Sequence, residues 1–202
     1  MFRKIHHPGF TVPREIPALR VLPFDLPVPA SFDTSDYPAF LEAIGLAGMG
    51  GGMFPAGRKV RASRGVHTLV INGVECEPGI TIDQALLLEQ ARWITAGAEA
   101  SARAVGAKRI VLAVKKEPRL IRRLRELYPF ELLTMPCTYP AGAEKLILRR
   151  LRRRMPPPGA LPFHLGFLVQ NAATLRAAGR AILDGIPAVE RPLTLAAPDS
   201  GF

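Results

Sequence analysis

His67-Thr-Leu-Val-Ile-Asn-Gly-Val-Glu-Cys-Glu-Pro-Gly79 joins a β-branched run to a polar turn. Leu69, Val70 and Ile71, bounded by Gly65 and Gly73, predict a buried strand over residues 67–72. The turn behind it carries two carboxylates, Glu75 and Glu77. Thr81 followed by Gln84 three residues on is a capping-box signal. The helix it opens is expected to run to about Val105, with Leu87, Ala91, Ile94, Ala98, Ala102 and Val105 on one face. Gly106 ends it.

The same alternation continues downstream. Residues 109–114 read as a second buried strand, 117–127 as a short basic helix and 130–135 as a third strand. A glycine-containing loop over 136–145 then opens a helix reaching about Arg154, which Met155 and the prolines after it break. Residues 165–170 predict a fourth strand, Asn171 an N-cap, and 172–183 the helix that it starts. Residues 189–195 are a candidate last strand. Strands alternating with helices at this pace predict an α/β fold: a mostly parallel sheet with helices packed on it. The loops at 72–80, 136–145 and 170–174 all follow strands, so they can converge on one crevice at the carboxyl ends of the sheet.

Upstream lies Ile44-Gly-Leu-Ala-Gly-Met-Gly-Gly-Gly-Met-Phe-Pro-Ala-Gly-Arg-Lys59. Gly48, Gly50, Gly51 and Gly52 bring no side chain; they offer close backbone approach and free N–H groups. Arg58 and Lys59 follow, and glycines followed by a cation suit a phosphate. No Gly-Lys-Ser/Thr is present and no strand pattern leads into the loop, so it is neither a Walker A loop nor a Rossmann fingerprint. The plainer alternative is a flexible connector. Residues 36–44 predict a short helix, and residues 1–38 with their six early prolines an extended arm, leaving 39–202 as the α/β domain.

Composition bounds the function. Of the 202 residues, 48% are hydrophobic and 22% charged, which suits one soluble domain. No apolar run reaches the roughly 18 residues of a membrane span, and Arg3 and Lys4 precede no apolar signal segment. Cys76 and Cys137 form no CxxC, so no iron–sulfur cluster is expected within this chain, and a reducing cytoplasmic setting is. Each cysteine reads first as a small hydrophobe. The four histidines show no ligand spacing, so no metal site is expected. The net charge of +10 points to an anionic partner. Lys145, Arg149, Arg150, Arg152, Arg153 and Arg154 concentrate it on one helix, either as a solvated face or as a surface for an acidic protein or anionic membrane. Nucleic acid fits less well, because no aromatic residues interleave the cations.

Four motifs together resemble a known family. Gly48-Met-Gly-Gly-Gly-Met-Phe-Pro-Ala-Gly-Arg-Lys59, Ile71-Asn-Gly-Val-Glu-Cys-Glu-Pro78, Tyr139-Pro-Ala-Gly-Ala-Glu-Lys145 and Val169-Gln-Asn-Ala-Ala-Thr174 follow the order and spacing of the C subunit of the Rnf electron-transport complex. They are similar as well to the flavin-bearing, NADH-oxidising subunit of respiratory complex I. The resemblance covers about residues 40–195 and implies a Rossmann-type domain that holds FMN non-covalently and takes hydride from NADH. By that resemblance Gly48, Gly50, Gly51 and Gly52 approach the flavin, Lys59 faces its phosphate and Asn72 hydrogen-bonds it. Glu75 and Glu77 line the meeting place of flavin and nicotinamide, with Tyr139 near the latter. Gly142 and Glu144 close the second side, and Asn171 and Thr174 sit at the phosphate and ribityl end. No residue is assigned a catalytic role.

Three departures accompany the resemblance. Met53 stands where the family has a fourth glycine, a small barrel domain before the Gly loop is missing, and so are the C-terminal ferredoxin clusters. The expected function is electron transfer from NADH through FMN to a partner protein in a larger redox complex. If FMN binds, the chain is an NADH-dehydrogenase-like subunit, cytoplasmic and held at the inner face of the membrane through that complex. The alternative is a flavin-free adaptor subunit that keeps the fold.

Overall fold

Four short parallel strands carry the molecule, and their order sets where a ligand can sit. The computed structural model describes residues 36–194; of the arm expected over 1–38, residues 1–35 lie outside the described residues, as do the last eight positions, while Tyr37 and Pro38 are not extended but begin the first helix. In chain order the elements are α1 (Tyr37–Ala43), α2 (Ala56–Ala62), β1 (Thr68–Gly73), α3 (Ile82–Glu89), α4 (Ala91–Val105), β2 (Arg109–Lys115), α5 (Pro118–Leu127), β3 (Glu131–Met135), α6 (Glu144–Arg152), a 3-10 turn at Pro162–Leu165, β4 (Phe167–Asn171) and α7 (Ala172–Asp184). The sheet order is β3-β2-β1-β4, with every pairing parallel. After β1 the chain goes to one side for β2 and β3, then returns to the other for β4. The reversal falls between β1 and β4, at Asn72 and Asn171, which are paired in register. Open parallel sheets bind ligands at such a point, outside the carboxyl ends of the strands.

Alternating side chains divide the sheet into two faces. Leu69, Ile71, Leu112, Val114 and Leu168 point into the larger core, built with Leu87, Ile94, Ala98 and Leu175 from the helices. Full burial of each large aliphatic side chain here is worth about 1.5–3 kcal/mol. Val70, Ala113, Phe167 and Val169 point to the other face, where Ile147 and Leu148 of α6 cover them. The long helices α4 and α7 cross with their backbones in contact. A Cβ on Gly97 would stand 2.1 Å from the Leu175 carbonyl oxygen, and one on Gly179 1.8 Å from that of Trp93. Tyr37 anchors α1 on this layer through a 3.0 Å hydroxyl contact with Ser101; burial pushes its phenol up to about 12.

Several expectations need correction. The helix expected over 81–105 is two helices, broken at Gln90. Gln90 leaves helical geometry, and its Oε1 accepts a 2.6 Å bond from Arg176 Nε, so tertiary contact overrides local periodicity there. Thr81 makes no side-chain cap. Glu75 takes that place: its carboxylate accepts from the N–H groups of Asp83 at 2.9 Å and Gln84 at 3.3 Å. α2 lies where the Gly loop was read to continue, so Lys59 sits on a helix. No strand forms over 189–194. Pro187 and Pro192 lack donors, and the Val189 N–H turns back 2.8 Å onto the Pro187 carbonyl. Among the described residues no helix is long and apolar enough to cross a membrane.

Candidate functional site

The site is built from four segments that meet at the carboxyl ends of β1 and β4. The Gly loop is closed at its base by an antiparallel bridge between Ala47 and Pro55, supported by bonds from Gly48 N to Phe54 O and Ala56 N to Leu46 O. Thr174, in the first turn of α7, fixes its entry by accepting from Met49 N at 2.9 Å. Gly50 then lies directly over Asn171; a Cβ there would meet the Asn171 Cβ at 3.2 Å. At the tip, Cβ positions built on Gly51 and Gly52 meet nothing within 4 Å. Gly51 adopts a φ of +96°, which glycine tolerates. Among the described residues, none accepts a hydrogen bond from the N–H groups of Gly50, Gly51, Gly52 and Met53. Four exposed, unengaged donors beside a topological switch point are what an anionic ligand needs.

Asn171 and Asn72 form the floor. Asn171 Oδ1 caps α7 by accepting from Ala173 N at 2.9 Å, as expected of an N-cap. Its amide donates to both oxygens of Asp83, at 3.2 and 2.9 Å. Asn72 accepts from Val74 N at 3.1 Å and donates to the Gly142 carbonyl at 2.9 Å. It therefore ties β1 to the 136–145 loop, while one amide hydrogen and one lone pair stay available. Gly142 is required by packing: a Cβ would stand 2.4 Å from the Val74 carbonyl oxygen. Its N–H donates to Cys76 Sγ at 3.3 Å, so that buried thiol helps to position the loop.

The charged groups behave differently from the expectation. Lys59 Nζ makes a 2.7 Å ion pair with Glu144 Oε1, both side chains partly exposed, and this bond bridges α2 and the start of α6. Glu75 is buried, and both its oxygens are used on α3. Glu77 and Tyr139 are exposed, Tyr139 on the outer part of its loop. Met53 takes a φ of +45° and its side chain is 61% exposed, so it projects to solvent.

Asp83 is the site residue that sequence reading missed. Burial pushes its carboxyl up to about 7, and repulsion from Glu75 adds to this; the bond from Asn171 opposes it, Glu77 raises it further and Lys115 lowers it. The signal was present, because Asp83 is the acidic residue in the first turn of α3. Its link to Asn171, 88 residues away, is visible only in the fold. Among the described residues no group of three His, Cys, Asp or Glu side chains is placed to hold a metal ion.

Fold and site together define an open α/β domain with an anion-ready crevice at its strand ends. The family model for the Nuo51 FMN-binding domain matches residues 41–180, and the chain belongs to that family. It is 34% identical over 175 residues to the C subunit of the ion-translocating oxidoreductase complex of Rhodobacter capsulatus, covering 83% of this chain and 34% of that one. It is 37% identical over 163 residues to the corresponding protein of Pectobacterium atrosepticum, covering 78% of this chain and 24% of that one. The chain thus spans about a third or less of these curated relatives. A solved NAD+-reducing NiFe-hydrogenase in the H2-reduced state matches in structure with a TM-score of 0.64 at 26% identity, covering 76% of this chain and 32% of that chain.

Proposed function

We propose that the crevice binds FMN non-covalently and that the protein passes electrons from NADH through it to a partner protein in a larger redox complex. The observation that carries this reading is the set of four unengaged N–H groups of Gly50, Gly51, Gly52 and Met53, open to solvent at the β1–β4 switch point. The donor set suits the cofactor: N–H groups and Lys59 for a phosphate, and the spare amide hydrogen and lone pair of Asn72 for a flavin edge. Bound FMN would supply hydride acceptance and electron delivery. In this reading the chain's own groups bind and orient. Thr174 and Asn171 hold the Gly loop in place. Asn72 and Gly142 set the gap between β1 and the opposite loop. Lys59 exchanges its Glu144 contact for phosphate. Glu77 and Tyr139, exposed at the rim, face the entering nicotinamide. The chain carries no iron–sulfur cluster, works on the cytoplasmic side, and reaches the membrane through its complex.

One observation favours a flavin-free adaptor instead: the Lys59 ammonium already has a carboxylate partner at 2.7 Å. Titrating the purified chain with FMN and following flavin fluorescence separates the two readings. Saturable quenching at one FMN per chain is expected. Absence of binding at micromolar protein would overturn the flavin reading and leave the adaptor.

A further inference from the structure

We infer that Asp83 is the group that takes up a proton when an anionic cofactor enters the crevice, and that it does so while keeping its hold on Asn171. The inference rests on the flavin reading above. Both oxygens of Asp83 receive the same donor, the Asn171 amide, at 3.2 and 2.9 Å. A protonated carboxyl still accepts that donor through its carbonyl oxygen. Proton uptake at Asp83 therefore weakens the contact with Asn171 but leaves one oxygen to accept it. Glu75 is held differently: each of its oxygens accepts a different backbone N–H of α3.

The surroundings place Asp83 near balance. The charged groups that act on it are Glu75 and Glu77 from the β1–α3 turn, which oppose its charge, and Lys115 at the end of β2, which favours it. Its carboxyl already titrates near neutrality, at about 7. Asn171, its contact residue, lies directly under Gly50. An arriving phosphate brings about −1.5 to −2 charge at pH 7. A further anion favours the neutral carboxyl. One proton then passes from buffer to a carboxylate oxygen of Asp83, and by linkage the cofactor binds more tightly at lower pH.

Isothermal titration of FMN into the protein near pH 7.5, in two buffers of different ionisation enthalpy, reads this directly. The wild type is expected to take up a substantial fraction of a proton per FMN bound. Asp83→Asn is expected to bind FMN with that uptake gone, and to lose the several-fold weakening of affinity that the wild type shows between pH 6.5 and pH 8.5. Binding with a buffer-independent enthalpy in the wild type would overturn the inference and leave the flavin reading standing. Equal uptake by Asp83→Asn would do the same. No FMN binding by the wild type would overturn both. Should Asp83→Asn fail to fold, the carboxyl carbon shift of Asp83 in the wild type decides. Its titration midpoint must move up when FMN is added, and an unmoved midpoint overturns the inference.

Discussion

Two pairs of glycines do opposite work in this molecule. Gly97 and Gly179 lie where α4 and α7 touch, and a Cβ on either would fall about 2 Å from a carbonyl oxygen of the other helix. Gly51 and Gly52 lie at the tip of the loop, where a Cβ would meet nothing. Glycine in the first region lets two backbones close on each other; in the second it leaves a volume unfilled. Identical residue types thus mark a contact already made and a contact still to be made. The first belongs to stability and the second to binding, so substitutions should separate the two.

The largest effect is expected at the helix crossing. Gly179→Ala forces α4 and α7 apart or strains both, at a cost of about 3 kcal/mol or more. Thermal unfolding should fall by roughly 6–12 °C at 2–4 °C per kcal/mol. A loss under 2 °C would show that the crossing yields easily and would erase the contrast. Next comes the charge beneath the loop. Asp83 has its folded pKa raised to about 7. Between its unfolded value and 7 the folded state binds more protons, so stability falls as pH rises through that window. From pH 5 to pH 8 the ceiling is about 2–3 kcal/mol. Denaturant unfolding at both pH values should show that loss in the wild type beyond what Asp83→Asn shows; parallel curves would contradict it.

Lys59→Ala should lower FMN affinity about tenfold or more, since a charge-assisted contact is worth about 1.5–3 kcal/mol. Its melting temperature should hardly move, because a half-exposed ion pair contributes about 0–1 kcal/mol. Unchanged FMN affinity would put the phosphate elsewhere. Gly52→Ala should change stability by no more than about 0.5 kcal/mol while weakening FMN binding, because the new methyl fills the open side of the loop. Equal FMN affinity would make Gly52 a simple connector. Met53→Gly should be nearly neutral in both assays. Relief of the left-handed backbone, about 1–2 kcal/mol, is offset by the larger freedom of glycine in the unfolded chain, about 0.4–1 kcal/mol. Marked rescue of FMN binding by glycine would mean that Met53 crowds the site despite its exposure.

What could be read from sequence was whatever the chain encodes locally. The four strands announced themselves because Val70, Val111, Leu132 and Val169 sit in apolar runs bounded by turn residues. Asn171 could be recognised as a cap because it acts two residues away. The break at Gln90 could not, since its cause is Arg176 on another helix. Helix α2 was hidden by the glycines before it and by Gly57 within it, although Ala56, Arg58, Lys59 and Arg61 favour a helix. Gly50 meets Asn171, and Asn72 meets Gly142, at the β1–β4 end, but sequence could not show that Lys59 meets Glu144 or that Glu75 caps α3. The first depends on which helices the parallel sheet brings together, and the second on how the turn after β1 folds back onto α3.

The bridge between Ala47 and Pro55 has one more consequence. It makes the glycine tip a module with a closed base. Gly51 and Gly52 at its tip meet nothing within 4 Å, so exchange there need not move the chain on either side. The scaffold and the socket can therefore diverge at different rates. Met53, 61% exposed beside that tip, leaves the Ala47–Pro55 base closed.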